Sequence, residues 1–366
     1  MRKNKLLYSF IVFIVLFSLI DILEPINKFS EFENRKLKNS INFNINKVFS
    51  ARFKENYEKY INDQVAFRDF FISLKSYSES AILKVENNGI IYGSDGYLFE
   101  KYNYIDRNRQ DNNIKAINEF IRNTKANVSV IIAPNSYGIY NEKLPLESPV
   151  INMEEELKKI YSKVNGSNNI NIFDTMIKNK KDYIYYKTDH HFTTYGAYLT
   201  YKDFIHSINK IAVNNSQLEA KYVHNFLGTY FSKSKKINID EDTICYYEIP
   251  NIEMTINDKK YNTLYDYNKF NERDKYSGFI YGNNPLTVIK NKEIKNREKI
   301  LIIKDSYANS MIPFLTQNFE EVHVIDLRSY SNSVLEYINY NKINEVLILY
   351  NFINFNRDAN IIKIKK

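Results

Sequence analysis

The sequence predicts an α/β protein whose main sheet is largely parallel and flanked by helices. Short, continuous apolar runs rich in isoleucine and valine recur along the chain, as in strands that are covered on both faces. Stretches with helical spacing of apolar residues alternate with these runs, which is typical of parallel sheets. The chain of 366 residues, 44% of them hydrophobic, is long enough to bury a core of this kind.

The composition excludes some classes of function for this chain. The chain has 31 Tyr and 24 Phe but no Trp and only 9 Gly, a uniform skew that reflects base composition rather than function. The net charge of +8 comes from scattered lysines, and because nucleic-acid-binding proteins concentrate basic residues in a patch, no nucleic-acid partner is expected. The single cysteine, Cys245, forms no intrachain disulfide and is interpreted as a small apolar strand residue rather than a reactive thiol.

The N-terminus predicts the compartment. Residues 1–5 are basic, and residues 6–23 are almost entirely apolar. A helix of that length spans about 27 Å at about 1.5 Å per residue, close to the hydrocarbon thickness of a bilayer. No pair of small residues offers a cleavage site, so an uncleaved, single-pass signal anchor is favoured over a removed signal peptide or a buried helix. The basic start places residues 24–366 outside the cytoplasm, at the cell membrane.

Residues 24–85 are predicted to form a stalk and a helical lead-in, with two helices between 49 and 85 that break near Asp63. Residues 90–100 predict a hairpin around Ser-Asp-Gly. The α/β domain is expected to occupy residues 86–366, with an irregular, β-containing insertion at about 215–295. Its predicted strands are 127–134, 170–174, 183–187, 298–305, 321–327 and 345–352, and its predicted helices are 111–124, 153–164, 193–211, 307–317 and 333–340.

Two predicted strands end in reactive groups, at "YYKTDHHF" and at "LIIKDSYANS". Open α/β sheets form their sites at the carboxyl ends of strands. Ser306 follows one strand at the turn into a helix. In extended backbone, residues i and i+2 share a face, so Asp189 and His191 are expected together and His190 on the other side. A serine, a histidine and an aspartate in this arrangement are suited to acyl transfer.

Other interpretations of these residues remain open. Adjacent histidines on a strand do not easily bind one ion, and His206 and His323 lie in a predicted helix and strand, so neither a metal nor a cofactor is expected. Ser306 could instead be a helix N-cap. Asn135 and Asn351, just after apolar strands, are better explained as turn residues than as oxyanion donors.

Several blocks of the chain, in order, resemble the DHHW family and the related alginate acetyltransferases of the AlgJ and AlgX type. The signature Asp-x-His-Trp is similar to "DHHF" at residues 189–192. The other similar blocks are residues 33–37, 60–69, 91–100, 131–140, 304–315 and 324–330. The resemblance runs from about residue 30 to the C-terminus, and several ordered blocks make it more specific than a lone Asp-x-His.

The resemblance implies an SGNH-hydrolase-like fold in which Asp and His precede Ser. Ser306 would be the nucleophile, His191 the general base and Asp189 the residue that orients it, while Arg328 would face the acyl oxyanion or the sugar. Such proteins transfer acetyl groups to exopolysaccharide or cell-wall glycan hydroxyls outside the cytoplasmic membrane. A polysaccharide acceptor and a membrane-bound acyltransferase that supplies acetyl groups are therefore the implied partners.

Two positions depart from the family pattern: Phe192 replaces the signature tryptophan, and Lys304 replaces a glycine before "DS". Phe192 still offers a flat apolar face toward a substrate, and Tyr281 and Asn284 are candidate sugar contacts. Two alternative functions follow. One is a carbohydrate acetylesterase with the same triad. The other is a non-catalytic scaffold or polysaccharide-binding subunit of a synthesis complex.

Overall fold

A computed structural model describes residues 2–30, 32–41, 43, 48–82, 84–236 and 238–365. The chain divides into two compact units. The first comprises the residues up to 87 together with 232–239, and the second comprises 88–231 together with 240–366.

The first unit contains a long apolar helix and two shorter helices, with three strands of two residues each. In the long helix, the 20 residues Asn4–Leu23 form a stretch that is long and apolar enough to cross a membrane, and none of this stretch is buried. The two helices predicted between 49 and 85 are present, and they break at residues 65–67, near Asp63 as expected. The elements are α1 (Arg2–Leu23), β1 (Phe29–Ser30), β2 (Arg35–Lys36), α2 (Ala51–Gln64), α3 (Arg68–Ala81) and β3 (Glu86–Asn87).

The second unit begins with the predicted hairpin and continues as alternating strands and helices. Its strands are β4 (Ile90–Tyr92), β5 (Leu98–Glu100), β6 (Asn127–Ala133), β7 (Asn168–Asn169), β8 (Glu219–Phe226), β9 (Asp242–Glu248), β10 (Ile252–Ile256), β11 (Lys259–Tyr261), β12 (Leu286–Asn291), β13 (Lys299–Lys304), β14 (Glu321–Ile325) and β15 (Glu345–Asn351). Its helices are α4 (Arg107–Asn123), α5 (Ser136–Ile139), α6 (Met153–Lys163), α7 (Phe173–Lys178), α8 (Thr194–Ser207), α9 (Thr229–Ser234), α10 (Ile312–Leu315), α11 (Val334–Asn341) and α12 (Phe352–Arg357).

Among the described residues, eight strands form the main sheet in the order β11-β10-β12-β14-β13-β15-β6-β7. The run from β14 to β7 is parallel, and β12, β10 and β11 extend it as antiparallel neighbours. The predicted class, a mixed α/β protein with a large, mostly parallel sheet, is therefore confirmed. In β13 every residue from Ile300 to Lys304 is buried, which explains the continuous apolar run of this strand.

Two predicted strands are absent from the described chain. Residues 170–174 instead contain the start of α7, and the neighbouring strand β7 is only two residues long. Residues 183–187 form no strand but an irregular loop with an isolated bridge between Tyr185 and Phe192. A run of aromatic residues fits a strand pattern, but here it fills a buried loop.

The segment 215–295 is more than an insertion on the α/β fold. Its strands β10, β11 and β12 extend the main sheet, because β12 pairs with β14. Its other two strands, β8 and β9, form a separate antiparallel hairpin. The segment also supplies side chains around Asp189.

His323 lies buried in β14, as the sequence predicted for a structural histidine, and burial lowers its pKa to about 4. Below pH ~6.5 the unfolded chain binds a proton that the folded chain does not bind until about pH 4. We therefore expect the free energy of unfolding to fall as the pH falls through this window, by about 1.4 kcal/mol per pH unit from this residue.

Urea unfolding of the wild type and of His323→Asn at pH 7, 6 and 5 measures this effect. The variant should lose less stability on acidification than the wild type. A difference between the two proteins that stays constant with pH would contradict the expectation.

Candidate active site

Asp189 and His191 lie in the loop that connects α7 to α8, and their side chains are hydrogen-bonded. His191 Nδ1 is 2.6 Å from Asp189 Oδ1, and the backbone N–H of His191 donates to the same oxygen over 3.1 Å. The predicted pair is thus present, although the extended backbone from which it was inferred is not. The tight loop itself brings the carboxylate to the ring.

Ser306 completes a line of three side chains. It begins a 3₁₀ turn, Ser306–Ser310, directly after β13, at the carboxyl edge of the parallel strands. Its Oγ is 2.8 Å from His191 Nε2, across a separation of 115 residues in sequence. Ser306 is partly exposed, whereas Asp189 and His191 are 1% and 4% exposed, so the hydroxyl is the accessible end of the line.

Asp305 sets the turn that presents Ser306. Its Oδ1 accepts from the backbone N–H of Tyr307 over 2.9 Å, as a helix cap. Its Oδ2 accepts from the backbone and side-chain N–H groups of Asn351, over 2.9 and 2.6 Å. Burial raises the pKa of Asp305, and these hydrogen bonds oppose that rise. The carboxylate therefore ties the ends of β13 and β15 together beneath the serine.

Electrostatics favour a neutral imidazole that faces the serine. Burial alone would raise the pKa of Asp189, but the charges and hydrogen bonds of the two histidines lower it well below its usual range. Burial also lowers the pKa of His191, against the opposing pull of Asp189. Because an ionised carboxylate can only accept, Nδ1 of His191 carries the proton. Nε2 is then free to accept from the hydroxyl of Ser306.

A glycine and a threonine enclose the second oxygen of Asp189. The backbone N–H and the hydroxyl of Thr229 donate to Oδ2 over 2.7 and 3.0 Å. A Cβ added to Gly228 would lie 2.2 Å from the Cβ of Asp189 and 2.4 Å from Oδ2. Only glycine allows the backbone to approach the carboxylate this closely.

Asp242, at the start of β9, holds the loop just before Asp189. Its Oδ1 accepts from the backbone N–H of Lys187 over 2.9 Å and from the hydroxyl of Tyr183. Its Oδ2 accepts from the backbone N–H and the hydroxyl of Thr188, over 2.8 and 2.5 Å. The buried carboxylate of Asp242 thus accepts four hydrogen bonds from a loop whose residues belong to neither a helix nor a strand.

Replacing Asp242 with asparagine is expected to lower turnover roughly 10- to 100-fold, because an amide cannot accept on both sides and the loop must shift. The free energy of unfolding should fall by about 1–3 kcal/mol, the cost of an unsatisfied buried group. Steady-state kinetics and urea unfolding measure the two effects. Asp240→Asn, at an exposed aspartate two residues away, is the control. Equal kinetics in both variants would contradict this positioning role.

His190 does not point away from the pair. Its ring centroid is 3.7 Å from that of His191, and its Nδ1 is 2.6 Å from Thr229 Oγ1 and 3.7 Å from Asp189 Oδ2. The prediction of opposite sides was wrong because the loop bends where an extended strand was assumed. His190 therefore packs on His191 and contacts the threonine that binds Asp189.

Tyr276 forms the other wall of the site. Its ring stacks on His191 at 3.6 Å between centroids and 10° between planes. Its hydroxyl donates to the backbone carbonyl of Ser306 over 3.1 Å. Tyr276 therefore contacts the histidine and the serine turn at once, and it restricts the orientation of the imidazole.

Gly228, Thr229, Asp242 and Tyr276 were not predicted from the sequence as site residues. All four lie within or beside the segment interpreted as an irregular insertion. The one local signal was Gly228 itself, in "FLGTYF", since glycine is scarce in this chain.

Phe192 does not offer a surface to a substrate. Its side chain is fully buried, and its ring packs 4.9 Å from that of Tyr307 and 6.5 Å from that of Tyr185. The position of the family tryptophan is thus a core position in this chain. Its expected role as a substrate contact is corrected to packing behind the loop that carries Asp189 and His191.

Arg328 follows β14 and forms an ion pair with Asp326, donating to Oδ1 from Nε over 2.8 Å while its side chain stays 40% exposed. Lys304 is buried at the end of β13, with Nζ 2.5 Å from Asn283 Oδ1 and 3.8 Å from Asp326 Oδ2. Burial lowers the pKa of Lys304 to about 8. Lys304 has no positive φ, so the turn needs no glycine there.

The remaining predicted residues make contacts within the protein. Tyr281 and Asn284 belong to one half-buried turn, where Asn284 Nδ2 donates to the carbonyl of Tyr281 over 3.2 Å. Asn135 and Asn351 are buried, and the side-chain N–H of Asn135 donates to Tyr307 Oη and to Asn351 Oδ1 over 3.0 and 3.2 Å. Both asparagines thus serve internal contacts, but each lies at the start of a helix, α5 or α12, rather than in a turn as predicted.

Asp189, His190 and His191 also place potential metal-ligand atoms within 4.8 Å of one another, among the described residues. Several of these atoms already take part in the hydrogen bonds described above. An ion at this position would compete with these hydrogen bonds.

Together, the fold and the site define an α/β protein with a hydrogen-bonded serine, histidine and aspartate at the carboxyl edge of a mostly parallel sheet. Residues 78–325 match the family described as DHHW protein, and the chain belongs to this family. A comparison with curated proteins gives no significant match.

Solved structures share the fold. A DHHW family protein from Eubacterium siraeum is 24% identical, with a TM-score of 0.66 over 77% of this chain and 96% of its own. PatB1 from Bacillus cereus, solved with a sulfonyl adduct, is 22% identical, with a TM-score of 0.63 over 76% and 98%. The O-acetyltransferase domain of Pseudomonas putida AlgJ is 10% identical, with a TM-score of 0.50 over 76% and 99%.

Proposed function

We propose that this protein is an extracytoplasmic O-acetyltransferase with an SGNH-hydrolase-like site that acts on exopolysaccharide or cell-wall glycan hydroxyls. One observation carries the proposal: the line of hydrogen bonds from Asp189 through His191 to the partly exposed Ser306. The similarity in fold to a domain named as an O-acetyltransferase supports acetyl as the transferred group.

In the first half-reaction, Ser306 Oγ attacks the carbonyl carbon of an acetyl donor while its proton moves to His191 Nε2. Asp189 accepts from Nδ1–H and stabilises the imidazolium that forms. The bond between the carbonyl carbon and the leaving group then breaks. The leaving group takes the proton from Nε2, and an acetyl ester remains on Ser306.

In the second half-reaction, a sugar hydroxyl attacks the acetyl-serine and gives its proton to His191. The bond between the carbonyl carbon and Ser306 Oγ breaks, and Oγ recovers the proton. Water in place of the sugar would give hydrolysis, the esterase alternative. Whether the acceptor site excludes water therefore decides between the two activities.

The acceptor contacts proposed from the sequence are Arg328, Tyr281 and Asn284. The side chain of Arg328 keeps 40% of its surface exposed beside Asp326, and its guanidinium can donate to an acyl or sugar oxygen. Tyr281 presents a partly exposed ring, packed 4.3 Å from that of Tyr261, and such rings commonly pack on apolar ligand surfaces.

Helix α1 would act as a signal anchor that holds the site at the outer surface of the cell membrane. The family resemblance implies a membrane-bound acyltransferase that supplies acetyl groups to such a site. We therefore propose such a protein as the donor partner and a polysaccharide as the acceptor.

The function is tested by incubating the full chain in detergent micelles with p-nitrophenyl acetate, with and without oligosaccharides. Acetylated oligosaccharide is the expected product, together with an acceptor-dependent rise in nitrophenol release. Release that is insensitive to any acceptor would favour the esterase. No release and no acetyl-protein would favour the scaffold or binding subunit. A chelator should leave the rate unchanged, whereas loss of activity that zinc restores would point to a metal site at Asp189, His190 and His191.

A further inference from the structure

Within the first unit, helix α3 presents an exposed aromatic face. This face consists of the residue before the helix and four positions along it, Phe67, Phe70, Phe71, Leu74 and Tyr77, which are 54%, 62%, 44%, 49% and 62% exposed. Their spacing of three and four residues places them on one side of the helix. Five large apolar side chains together form a patch that a soluble surface rarely leaves in water.

The aromatic face lies beside α1. The rings of Phe17 and Phe71 are 6.2 Å apart, and the two helices border a groove of about 500 Å³. The groove is lined only by apolar side chains, those of Phe13, Leu16, Phe17, Ile20, Phe67, Phe70 and Phe71. The four α1 residues lie within the apolar stretch, and at about 1.5 Å per residue they are about 5–15 Å below the end of α1 at Leu23.

Polar contacts hold α3 at this level. Asp21, near the end of α1, accepts from the backbone N–H of Ala66 over 2.8 Å, in the turn between α2 and α3. The segment after α1 is tied to the same turn by two ion pairs, Glu33 with Arg68 and Arg35 with Asp63. The level of the aromatic face relative to α1 is therefore set by hydrogen bonds and charges, not by apolar contact alone.

We infer that the aromatic face of α3 is immersed in the outer leaflet of the membrane, where it contacts lipid acyl chains beside α1. The inference rests on α1 as the signal anchor and is independent of the chemistry at Ser306. Two observations favour lipid as the occupant. The face is continuous with the unburied apolar surface of α1, and the groove between them has no polar lining. Arg68 and Asp69 lie at the start of α3, where charged groups suit the headgroup region.

Such a helix would give the chain a second contact with the membrane beside the spanning helix. Aromatic side chains are favoured at the boundary between acyl chains and headgroups. The segments that hold α3 in place, residues 33–37 and 60–69, take no part in the proposed triad. These two segments therefore serve the membrane contact, because they hold α3 in place.

The test uses the absence of tryptophan from the sequence, because one introduced indole is then the only one in the chain. The full chain carrying Phe70→Trp is reconstituted in phosphatidylcholine vesicles whose acyl chains bear bromine. Asp69→Trp, outside the aromatic face at about 100° around α3 from Phe70 and with 55% of the native side chain exposed, is the matched control. Phe10→Trp, within α1, reports whether the anchor itself is embedded.

The expected result is strong quenching by brominated acyl chains for Phe70→Trp, at least twofold greater than for Asp69→Trp, together with a blue-shifted emission. Quenching of Phe10→Trp alone, with Phe70→Trp accessible to iodide in water, would overturn the inference. Shielding of Phe70→Trp from both quenchers would also overturn it, in favour of a second protein surface on this face. Absence of quenching for Phe10→Trp would refute the anchor on which the inference depends, whatever the acetyltransferase assay shows.

Discussion

Replacing Ser306 with alanine is expected to reduce acetyl-ester turnover by at least about 1000-fold, because its hydroxyl is the nucleophile of the first half-reaction and carries the acetyl group into the second. The substitution removes one partly exposed oxygen at the start of a 3₁₀ turn, so the fold should persist. The acetyl-enzyme should disappear with it. Mass spectrometry of the protein after brief exposure to substrate would show one added acetyl group on the wild type and none on the variant.

The control for this experiment is Ser162→Ala, which removes an exposed hydroxyl from α6 that bonds only to the preceding turn over 2.9 Å. It should retain full turnover and the acetyl adduct. If Ser306→Ala hydrolysed the ester as fast as this control, the triad would have no catalytic role. The non-catalytic binding subunit would then become the better description.

The parts of this molecule that were predicted well have local signals. Strands β6, β13 and β15 are covered on both faces, so their sequences are largely apolar runs of six or seven residues. Ser306 follows one such strand, which is where an α/β sheet places its site.

The loop at Asp189 could not be derived in this way. Its conformation depends on Asp242, more than fifty residues later, which accepts its hydrogen bonds, and on Gly228 and Thr229, about forty residues later. No residue within the loop indicates that these distant residues are its partners. A strand was therefore assumed. Strand alternation predicts the correct pairing of Asp189 with His191, but it is the bend of the loop that brings the two side chains together.

The structure of the segment 215–295 also depends on residues that are distant in sequence, and it could not be predicted for the same reason. Its weak periodicity reflects short strands and 3₁₀ turns whose burial comes from distant neighbours. The β8–β9 hairpin brings Phe226 opposite Asp242, and the chain between them carries Gly228 and Thr229. One hairpin thus delivers both supports of the Asp189 loop, so a segment interpreted as an irregular insertion organises the site.

Replacing Gly228 with alanine should therefore disable the site without touching any member of the triad. The new methyl carbon would lie 2.2 Å from the Cβ of Asp189 and 2.4 Å from its Oδ2, far inside van der Waals contact. Either the carboxylate moves from His191 or the backbone at residues 228–229 withdraws, and both disturb the hydrogen bonds to Oδ2. We expect kcat to fall at least about 100-fold, as for a displacement of about 1 Å, with KM little changed. Overpacking should cost about 1–3 kcal/mol of unfolding free energy.

Loss of stability alone cannot account for that result if Gly89→Ala behaves as expected. No atom lies within 4 Å of a Cβ at Gly89, but its φ of +76° makes alanine strained there. That variant should lose about 1 kcal/mol of stability and keep its kcat. Kinetics well below both unfolding transitions then separate a displaced carboxylate from a weakened fold. A Gly228→Ala enzyme with wild-type kcat would mean that Asp189 need not occupy this position, and the role proposed for it in orienting His191 would fall.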